Sequence, residues 1–306
     1  MKSHNSTTFA YLALAAASII WGANGAVMKS ALEFVPLFSL AFIRFGTASI
    51  LLYFLLKPKI KLDKKDIPLV IFCGLLGITF NISLYFWGLR LTTALNAGII
   101  EASLPLLTLF FLHFVFKRGI SKNLLYGGLI GIVGIIVLIG KDFASPMHLS
   151  PLGDFLILAS ITSFMLYELG LKRLFRKYDP LSMTFYSFAV GAWFFLPAAS
   201  IEYARSPMWI TTVPPHIYLN ILYGILLSSL AAHACWQWGL SKISLSKVGF
   251  FLYLEPFASM IAAVLLLSER ITIPFVIGAS LIFLGLFLAE IHISSHPHVT
   301  TKLHKR

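Results

Sequence analysis

Charged residues are scarce in this chain. Only 12% of its 306 residues are Asp, Glu, Lys or Arg, whereas a soluble domain carries about 25%. The acids are the scarcer sign, with 12 Asp and Glu beside 24 Lys and Arg. With 58% hydrophobic residues, the composition excludes a disordered chain and does not suit a soluble globular domain, because both need a polar surface.

Cysteine is equally rare, and the short motifs of common enzymes are missing. Cys73 and Cys235 both fall in apolar stretches, and no four-ligand spacing suggests a metal site. The chain has no G-x-x-x-x-G-K-[ST], H-E-x-x-H or G-x-S-x-G pattern. These motifs carry phosphate binding, zinc hydrolysis and serine nucleophiles. We therefore expect no cofactor, no metal, no ATP and no enzymatic activity.

Long apolar blocks take the place of these features. There are ten of them, each close to the twenty residues that span ~30 Å of hydrocarbon. They are residues 10–31, 36–56, 67–89, 95–116, 123–140, 153–175, 181–200, 217–239, 247–267 and 273–291. Core helices of a soluble protein explain one or two such blocks but not ten in a row. The sequence predicts an all-α integral membrane protein with ten transmembrane helices.

The basic residues are divided unequally between the two sides of these spans. If the amino terminus is cytoplasmic, the cytoplasmic segments hold eighteen Lys and Arg and the outer segments hold five. This bias follows the positive-inside rule and predicts a bacterial inner-membrane protein with both termini in the cytoplasm. The net charge of +12 is then explained by loops beside anionic headgroups. We expect membrane lipids, and not nucleic acid, as partners.

The chain also repeats itself. A shift of 151 positions carries Gly98 onto Gly249 and Pro105 onto Pro256. Each repeat has five spans, so the second crosses the membrane in the opposite sense, as in inverted-repeat transporters. The predicted organisation is a first repeat at 9–140, an outer connector at 141–152, a second repeat at 153–291 and a disordered cytoplasmic tail at 292–306.

Polar side chains within the spans are the candidates for function, because burying them in lipid is costly. The candidates for substrate binding or coupling are Glu101, Glu255, Asn24, Asn81, Tyr85, Trp21, Tyr167, Glu168, His233, Gln237 and Arg44. Pairs of an aromatic and an amide, such as Trp21 with Asn24, suit a small-molecule substrate with an apolar body and a polar head. An amino acid is one such substrate.

Counting from the span ends at ~1.5 Å per residue separates the polar residues into two levels. One level holds Asn24, Arg44, Asn81 and Glu101, and the other holds Glu168, Ser187, His233 and Glu255. Inverted symmetry predicts two such levels on either side of the bilayer midplane.

Glu101 is the leading candidate. A lone carboxylate in the membrane can exchange a proton as access alternates, which would make protons a coupling partner. The alternative is an ion pair with Arg44, which is at the same predicted depth and would join spans two and four. The two interpretations are compatible, because a substrate can compete for the pair.

Glu255 lies beside a predicted helix break. It precedes Pro256, which matches Pro105 in the first half. Proline removes a backbone donor and kinks a helix, and broken helices at matching positions point to a binding site. The alternative is that Glu255 binds a helix end and sets the kink.

Two further candidates have structural alternatives. Glu168 precedes Lys172 by four residues, the spacing of an intrahelical ion pair. His233 shares a helix face with Gln237 and is a candidate proton relay, or it hydrogen-bonds a neighbour.

Several stretches resemble the EamA domains of the drug/metabolite transporter superfamily. SIIWGANGAVMKSAL followed by FIRFG resembles the opening of a first domain, and GDFLILASITSFMLYELGLKRL resembles the opening of a second. LYLEPFASMIAAVLLLSERIT, residues 252–272, resembles the fourth span of the second. The first half departs from the pattern, with Lys117 and Arg118 where an acidic end is common and Glu101 where an apolar residue is usual.

The resemblance covers about residues 9–290 and implies a ten-helix bundle that transports small metabolites without ATP hydrolysis. Family members often transport outward. We therefore expect a secondary active transporter, an exporter, that works by alternating access. An intramembrane enzyme acting on lipid or lipid-linked groups and a passive channel are the alternatives.

Overall fold

The structure is a computed structural model that describes residues 2–56, 62–108, 111, 122–143, 151–240, 251 and 253–295. All regular secondary structure in these ranges is helical. The prediction of an all-helical protein is confirmed for this part of the chain. The predicted connector and tail lie largely outside it, at 144–150 and 296–306.

The main helices of the described ranges are α1 (Lys2–Leu32), α2 (Leu37–Leu56), α3 (Ile67–Gly74, π-helical at Leu75–Phe80, then Asn81–Leu91), α4 (Ala94–Glu101, with a further helical stretch at 104–108), α5 (Lys122–Phe143), α6 (Pro151–Leu174), α7 (Pro180–Arg205), α8 (Pro215–Leu222, π-helical at Tyr223–Ala231, then Ala232–Leu240), α9 (Leu254–Leu267) and α10 (Ile273–Ser295). A short helix at Trp209–Thr212 lies between α7 and α8. Six described helices are long and apolar enough to cross a membrane, namely α1, α2, α3, α6, α7 and α8. The other four contain shorter apolar stretches.

Local sequence explains where several helices begin and end. Asp179 is the N-cap of α7, where its side chain accepts from the backbone N–H of Ser182 at 3.1 Å and Pro180 follows at the first helical position. α10 continues to Ser295, past its predicted end at 291. No proline or glycine follows until Pro297, and a residue before proline disfavours helix.

Helices from the two halves of the chain pack against each other. The most extensive contacts join α5 to α10, α2 to α7, α1 to α9 and α3 to α6. Phe86, Phe188 and Phe195 are almost fully buried in the cluster between the helices. Neither half therefore forms its core without the other.

Apolar side chains also cover the outside of the bundle. Leu55, Leu265 and Ile273 are 72%, 75% and 78% exposed. Apolar cover on this scale is costly in water and suits hydrocarbon.

Glycines bring α5 and α10 into backbone contact. A Cβ atom at Gly285 would lie 2.4 Å from the carbonyl oxygen of Gly127, and one at Gly134 would lie 2.7 Å from that of Gly278. Small residues permit this close approach in membranes, where packing takes over from the hydrophobic effect.

We expect Gly285→Ala to destabilise the protein by about 1–3 kcal/mol, because the new methyl group meets backbone atoms that cannot rotate away. Thermal unfolding in detergent measures the effect. Gly140→Ala is the matched control on α5, since a Cβ there has no neighbour within 4 Å. Equal stability of the two variants would contradict the close approach of α5 and α10.

Candidate functional site

Two π-helical segments interrupt the long helices α3 and α8. They are Leu75–Phe80 and Tyr223–Ala231, and a shift of 151 carries residues 75–80 onto 226–231. A π-helical segment alters the regular hydrogen-bond ladder, and such segments are frequent at functional sites. No residue pattern in the sequence marked either one.

Each segment receives a side-chain hydrogen bond from another helix. The Ser163 hydroxyl of α6 donates to the carbonyl oxygen of Leu76 at 2.7 Å. The Trp21 indole of α1 donates to the carbonyl oxygen of Ser228 at 3.0 Å. These bonds tie α6 to α3 and α1 to α8 inside the bundle.

Aromatic rings surround the Ser228 carbonyl. His233 Nδ1 lies 3.2 Å from the same oxygen. The rings of Trp21 and His233 meet edge to face with centroids 5.1 Å apart, and Trp236 lies 5.4 Å from Trp21. His233 therefore contacts a backbone neighbour, which was the structural alternative to a proton relay.

Arg44 is buried beside the same segment. Its Nε donates to the Ser229 hydroxyl at 3.1 Å and its Nη2 to the Ser228 hydroxyl at 2.9 Å. The guanidinium carbon lies 4.8 Å from the centroid of the Phe45 ring. The predicted ion pair between Arg44 and Glu101 is wrong, because α8 supplies the partners of Arg44.

Glu101 instead accepts a hydrogen bond from Tyr85. The Tyr85 hydroxyl lies 3.3 Å from Glu101 Oε2. The regular part of α4 ends at Glu101, and a turn at 102–103 follows before helix resumes. In a regular helix the N–H of residue 105 would donate to the carbonyl oxygen of Glu101, and Pro105 has no N–H. The predicted break at Pro105 is confirmed, and Glu101 lies at it.

Glu255 lies at the matching break in the second half. α9 begins at Leu254 after a turn at Tyr253, and the shift of 151 carries position 102 onto 253. Pro256 occupies the first turn of α9, where its missing N–H costs little. The turn at Tyr253 lies between helical Phe251 and α9, so the helix is interrupted beside Glu255.

α1 approaches this second break closely. A Cβ atom at Gly22 would lie 2.2 Å from the carbonyl oxygen of Glu255. Trp21, the next residue, is the one that bonds the π-helical segment of α8. α1 therefore contacts both interruptions of the second half within one turn.

Three carboxylates within the apolar helices form a group. Glu255 is within electrostatic range of Glu101 and of Glu168. The side chain of Glu168 on α6 is exposed. Lys172 is not within 4 Å of it, so the predicted close ion pair is wrong; the ion pairs of the described ranges are formed by other residues.

Two more candidates lie where α3 meets α6. The Asn81 amide donates to the Ser160 carbonyl at 2.9 Å. The Tyr167 ring packs on Gly77, where a Cβ atom would lie 2.4 Å from Tyr167 Cγ. Both contacts hold the helices together.

The two predicted levels of polar residues meet in the structure. Arg44 from one level and His233 from the other both contact Ser228. Asn24 is on α1, with a buried Oδ1 that has no hydrogen-bond partner among the described residues. The side chain of Gln237 lies outside the described part of the chain.

A cavity of about 340 Å³ lies between α2, α7 and α8 and is open to the outside of the bundle at Leu55, which is 72% exposed. Six leucines from these helices form most of its wall. Thr184, Ser229 and His233 are its hydrogen-bonding side chains. Ser229 both lines the cavity and accepts the Arg44 bond.

We call the end of the bundle where α1 ends and α6 begins the connector face. It holds a polar cluster that sequence reasoning missed. Lys29 donates to the carbonyl oxygens of Leu89, at 3.0 Å, and Thr92, and lies 3.9 Å from Glu269. Glu269 accepts from the first N–H groups of α4, those of Ala94 at 2.8 Å and Leu95 at 2.9 Å.

The cluster continues onto α6 through a fully buried acid. Asp154 accepts from the Thr92 hydroxyl and from the Asn96 amide, the latter at 3.0 Å. We call Lys29, Thr92, Asp154 and Glu269 the connector clasp. Lys29 and Asp154 lie near the ends of predicted spans and Thr92 and Glu269 lie between spans, so the search for polar residues deep within spans did not select them.

A second carboxylate ties helix ends together at the connector face. Glu202 near the end of α7 accepts from the backbone N–H groups of Phe38, at 3.1 Å, and Ser39, at 2.7 Å. A carboxylate at a helix N-terminus meets unsatisfied N–H groups and the positive end of the helix dipole.

Exposed side chains form a further set of contacts at the end of the bundle opposite the connector face. Lys177 bonds Asp63 and Asp66, and the Tyr178 hydroxyl donates to Asp66 at 2.7 Å. Lys177 and Tyr178 hold the pKa of Asp66 below its usual value. The stability that this shift contributes is present above the pKa of about 3.9 that Asp66 has in the unfolded chain. It is lost as the pH falls through the lowered pKa of Asp66 in the folded protein. Exposure makes it small.

Buried charges at broken helices, in a bundle of apolar membrane-length helices, define a multi-pass membrane transport protein. The chain belongs to the EamA-like transporter family, which matches residues 8–140 and 151–290. The earlier resemblance is confirmed.

Individual relatives agree with this assignment. "Uncharacterized transporter YetK" of Bacillus subtilis is 28% identical over 291 residues, covering 92% of this chain and 87% of the relative. The "Probable amino-acid metabolite efflux pump" of Escherichia coli is 25% identical over 280 residues, covering 88% and 91%. A solved crystal structure matches with a TM-score of 0.58 and 19% identity, covering 93% of this chain and 98% of that chain, which supports the fold alone.

The family and its named members are transporters. The chain is therefore a transporter with a small-molecule substrate and not an enzyme, and the intramembrane-enzyme alternative is wrong.

We expect Trp21→Phe to lower the free energy of unfolding by about 1–3 kcal/mol, because the buried Ser228 carbonyl loses an indole donor. Trp193→Phe is the matched control, since that side chain is 71% exposed. Thermal unfolding of both variants in detergent measures the difference. An unchanged Trp21→Phe protein would mean that the bond to α8 does not contribute.

Proposed function

We propose that this chain is a secondary active exporter of small metabolites, amino acids and their derivatives among them, and that it works by alternating access. The observation that carries the proposal is that the helix interruptions beside Glu101 and Glu255, at matching positions in the two halves, lie within electrostatic range of each other. Tyr85 lies within that range of both acids and of Arg44. Discontinuous helices that face each other in mid-membrane form the binding sites of inverted-repeat transporters. The relative named an amino-acid metabolite efflux pump supports the solute class and the direction.

We further propose that residues 9–140 and 153–291 are five-helix repeats related by a twofold axis in the membrane plane. The helix contacts support this. α1 contacts α9 as α6 contacts α4, and α3 contacts α6 as α8 contacts α1. The pairs α2–α7 and α5–α10 map onto themselves. Such a pair of repeats can exchange inward-open and outward-open shapes.

The connector clasp gives the two shapes unequal stability. With both termini in the cytoplasm of a bacterial inner membrane, as the loop charges favour, the clasp is on the outer side. Under the shift of 151, Glu269 corresponds to Arg118. An arginine cannot accept hydrogen bonds from helix N–H groups, so the matching position of the first half does not encode the same acceptor. The protein then rests with its outer end closed, ready to load from the cytoplasm.

We expect Glu269→Ala to open the outer end, because α4 loses the acceptor of two N–H groups and Lys29 loses its ion-pair partner. The reporter is a single cysteine at position 24, with Cys73 and Cys235 replaced by alanine. An impermeant maleimide added outside intact cells should label it several-fold faster in the Glu269→Ala background.

Glu33→Ala is the matched control, since Glu33 is an exposed acid on the same face and forms no ion pair within 4 Å in the described ranges. It should leave the labelling rate unchanged. Equal labelling in all three backgrounds would argue against the clasp as a gate.

Protons are the proposed coupling partner, exchanged by Glu101, with no ATP and no nucleic acid involved. We expect Glu101→Gln to abolish the effect of a pH gradient on flux in reconstituted vesicles, because an amide cannot exchange a proton at neutral pH. A panel of radiolabelled amino acids supplies the solutes. Full gradient-dependent flux in Glu101→Gln would remove Glu101 from coupling, and flux that never saturates would favour a passive channel.

A further inference from the structure

Arg44 carries a positive charge that no acid of the described ranges pairs with, although the Phe45 ring lies 4.8 Å from the guanidinium carbon. Its side chain is only 6% exposed, and its hydrogen-bond acceptors are the neutral hydroxyls of Ser228 and Ser229. Its Nη1 is buried and has no hydrogen-bond partner among the described residues. No ion pair within 4 Å joins it to an acid in those ranges.

A buried guanidinium in this condition is unusual. Arginine stays protonated and has five N–H donors, and buried charges are normally paired with an opposite charge. Arg90 has the ordinary structural arrangement, because its Nη2 donates to the carbonyl oxygens of Leu32 at 3.1 Å and Val35 at 3.3 Å. Arg44 keeps a donor unused where the helices are interrupted.

Glu101 is bonded to Tyr85 and not to Arg44. Tyr85 lies within electrostatic range of Arg44, Glu101 and Glu255, and its hydroxyl bonds Glu101. An acid of the protein paired with Arg44 would compete with an anionic solute. Tyr85 engages Glu101, and no acid of the described ranges forms an ion pair with the guanidinium.

Arg44 is hydrogen-bonded to one of the side chains that line the 340 Å³ cavity. Ser229 joins the two, since its hydroxyl accepts from Arg44 Nε at 3.1 Å and also lines the cavity. The rest of the wall is mainly leucine, with His233 and Thr184 beside Ser229. The volume is at the small end of the range for ligand pockets. A fitting solute is small and apolar, with an acceptor at one end.

We propose that Arg44 receives the carboxylate of the transported solute, so that the substrates are small carboxylates with an apolar body. This inference rests on the proposed function and specifies its substrate class. The carboxylate of the solute accepts one hydrogen bond from Arg44 Nη1 and a second from an Arg44 N–H that now donates to a serine hydroxyl. This is the paired geometry that guanidinium and carboxylate favour. The leucine wall holds the apolar body.

The test compares each acid with its neutral amide. The probes are 3-phenylpropionate with 3-phenylpropionamide and 4-methylvalerate with 4-methylvaleramide, each titrated calorimetrically into the detergent-purified full chain. At least one acid should bind about 10- to 100-fold more tightly than its amide, the range of a charge-assisted hydrogen-bond pair. Arg44→Gln should reduce that ratio to near one, and Arg44→Lys should restore part of it.

Arg90→Gln is the matched control and should keep the wild-type ratio, because the carbonyl partners of Arg90 are structural. A purely structural role for Arg44 would lower the stability of Arg44→Gln without changing the ratio, and that result overturns the proposal. If Arg44→Gln does not fold, the wild-type ratio and Arg44→Lys decide the question. Binding of neither acid, or of both amides equally well, also overturns it.

Oleate distinguishes a lipid from a soluble solute. Tighter binding of oleate than of either short acid would assign the site to a lipid and overturn the proposal. The binding ratio does not depend on transport. Loss of the acid preference with intact gating at Glu269 would therefore refute this inference and leave the proposed function standing.

Discussion

Within hydrocarbon, every backbone N–H and C=O must find a partner inside the protein, and this constraint governs the centre of the molecule. Regular helix fails at the π-helical segments of α3 and α8, at the turn in α4 and at the start of α9. Side chains from other helices bond the π-helical segments, as Ser163 does for Leu76 and Trp21 for Ser228. Because these bonds cross between halves, the site exists only when both halves are assembled.

The buried charges belong to the same region for an energetic reason. A membrane protein can keep an ionisable group in its interior only where neighbouring groups or a ligand offset the cost of desolvation. Interrupted helices supply free carbonyls and hydroxyls, and Arg44 uses two hydroxyls of the α8 segment. Irregular backbone and buried charge therefore support each other, and both suit a site that must bind a solute and release it again.

The membrane-length helices and one helix break were predictable from local sequence, whereas the contacts between side chains of different helices depended on how each helix is rotated. Six membrane-length helices followed from apolar length, and the break at Glu101 followed from Pro105, because both signals are local. The partners of Arg44 are 184 and 185 residues away, and depth counting says nothing about which face of a helix turns towards which neighbour. The connector clasp was missed because Asp154 and Glu269 lie at span ends, where an acid resembles a solvated flank.

The carboxylates of Glu269 and Glu202 bind main-chain N–H groups at positions 94, 95, 38 and 39. Only proline lacks that donor, so the side chains at these four positions can drift without breaking the bonds. The donor side of each contact therefore tolerates almost any substitution, and only the glutamate has to be retained. Divergent descendants of this protein can retain the closure while their surrounding sequence changes beyond recognition.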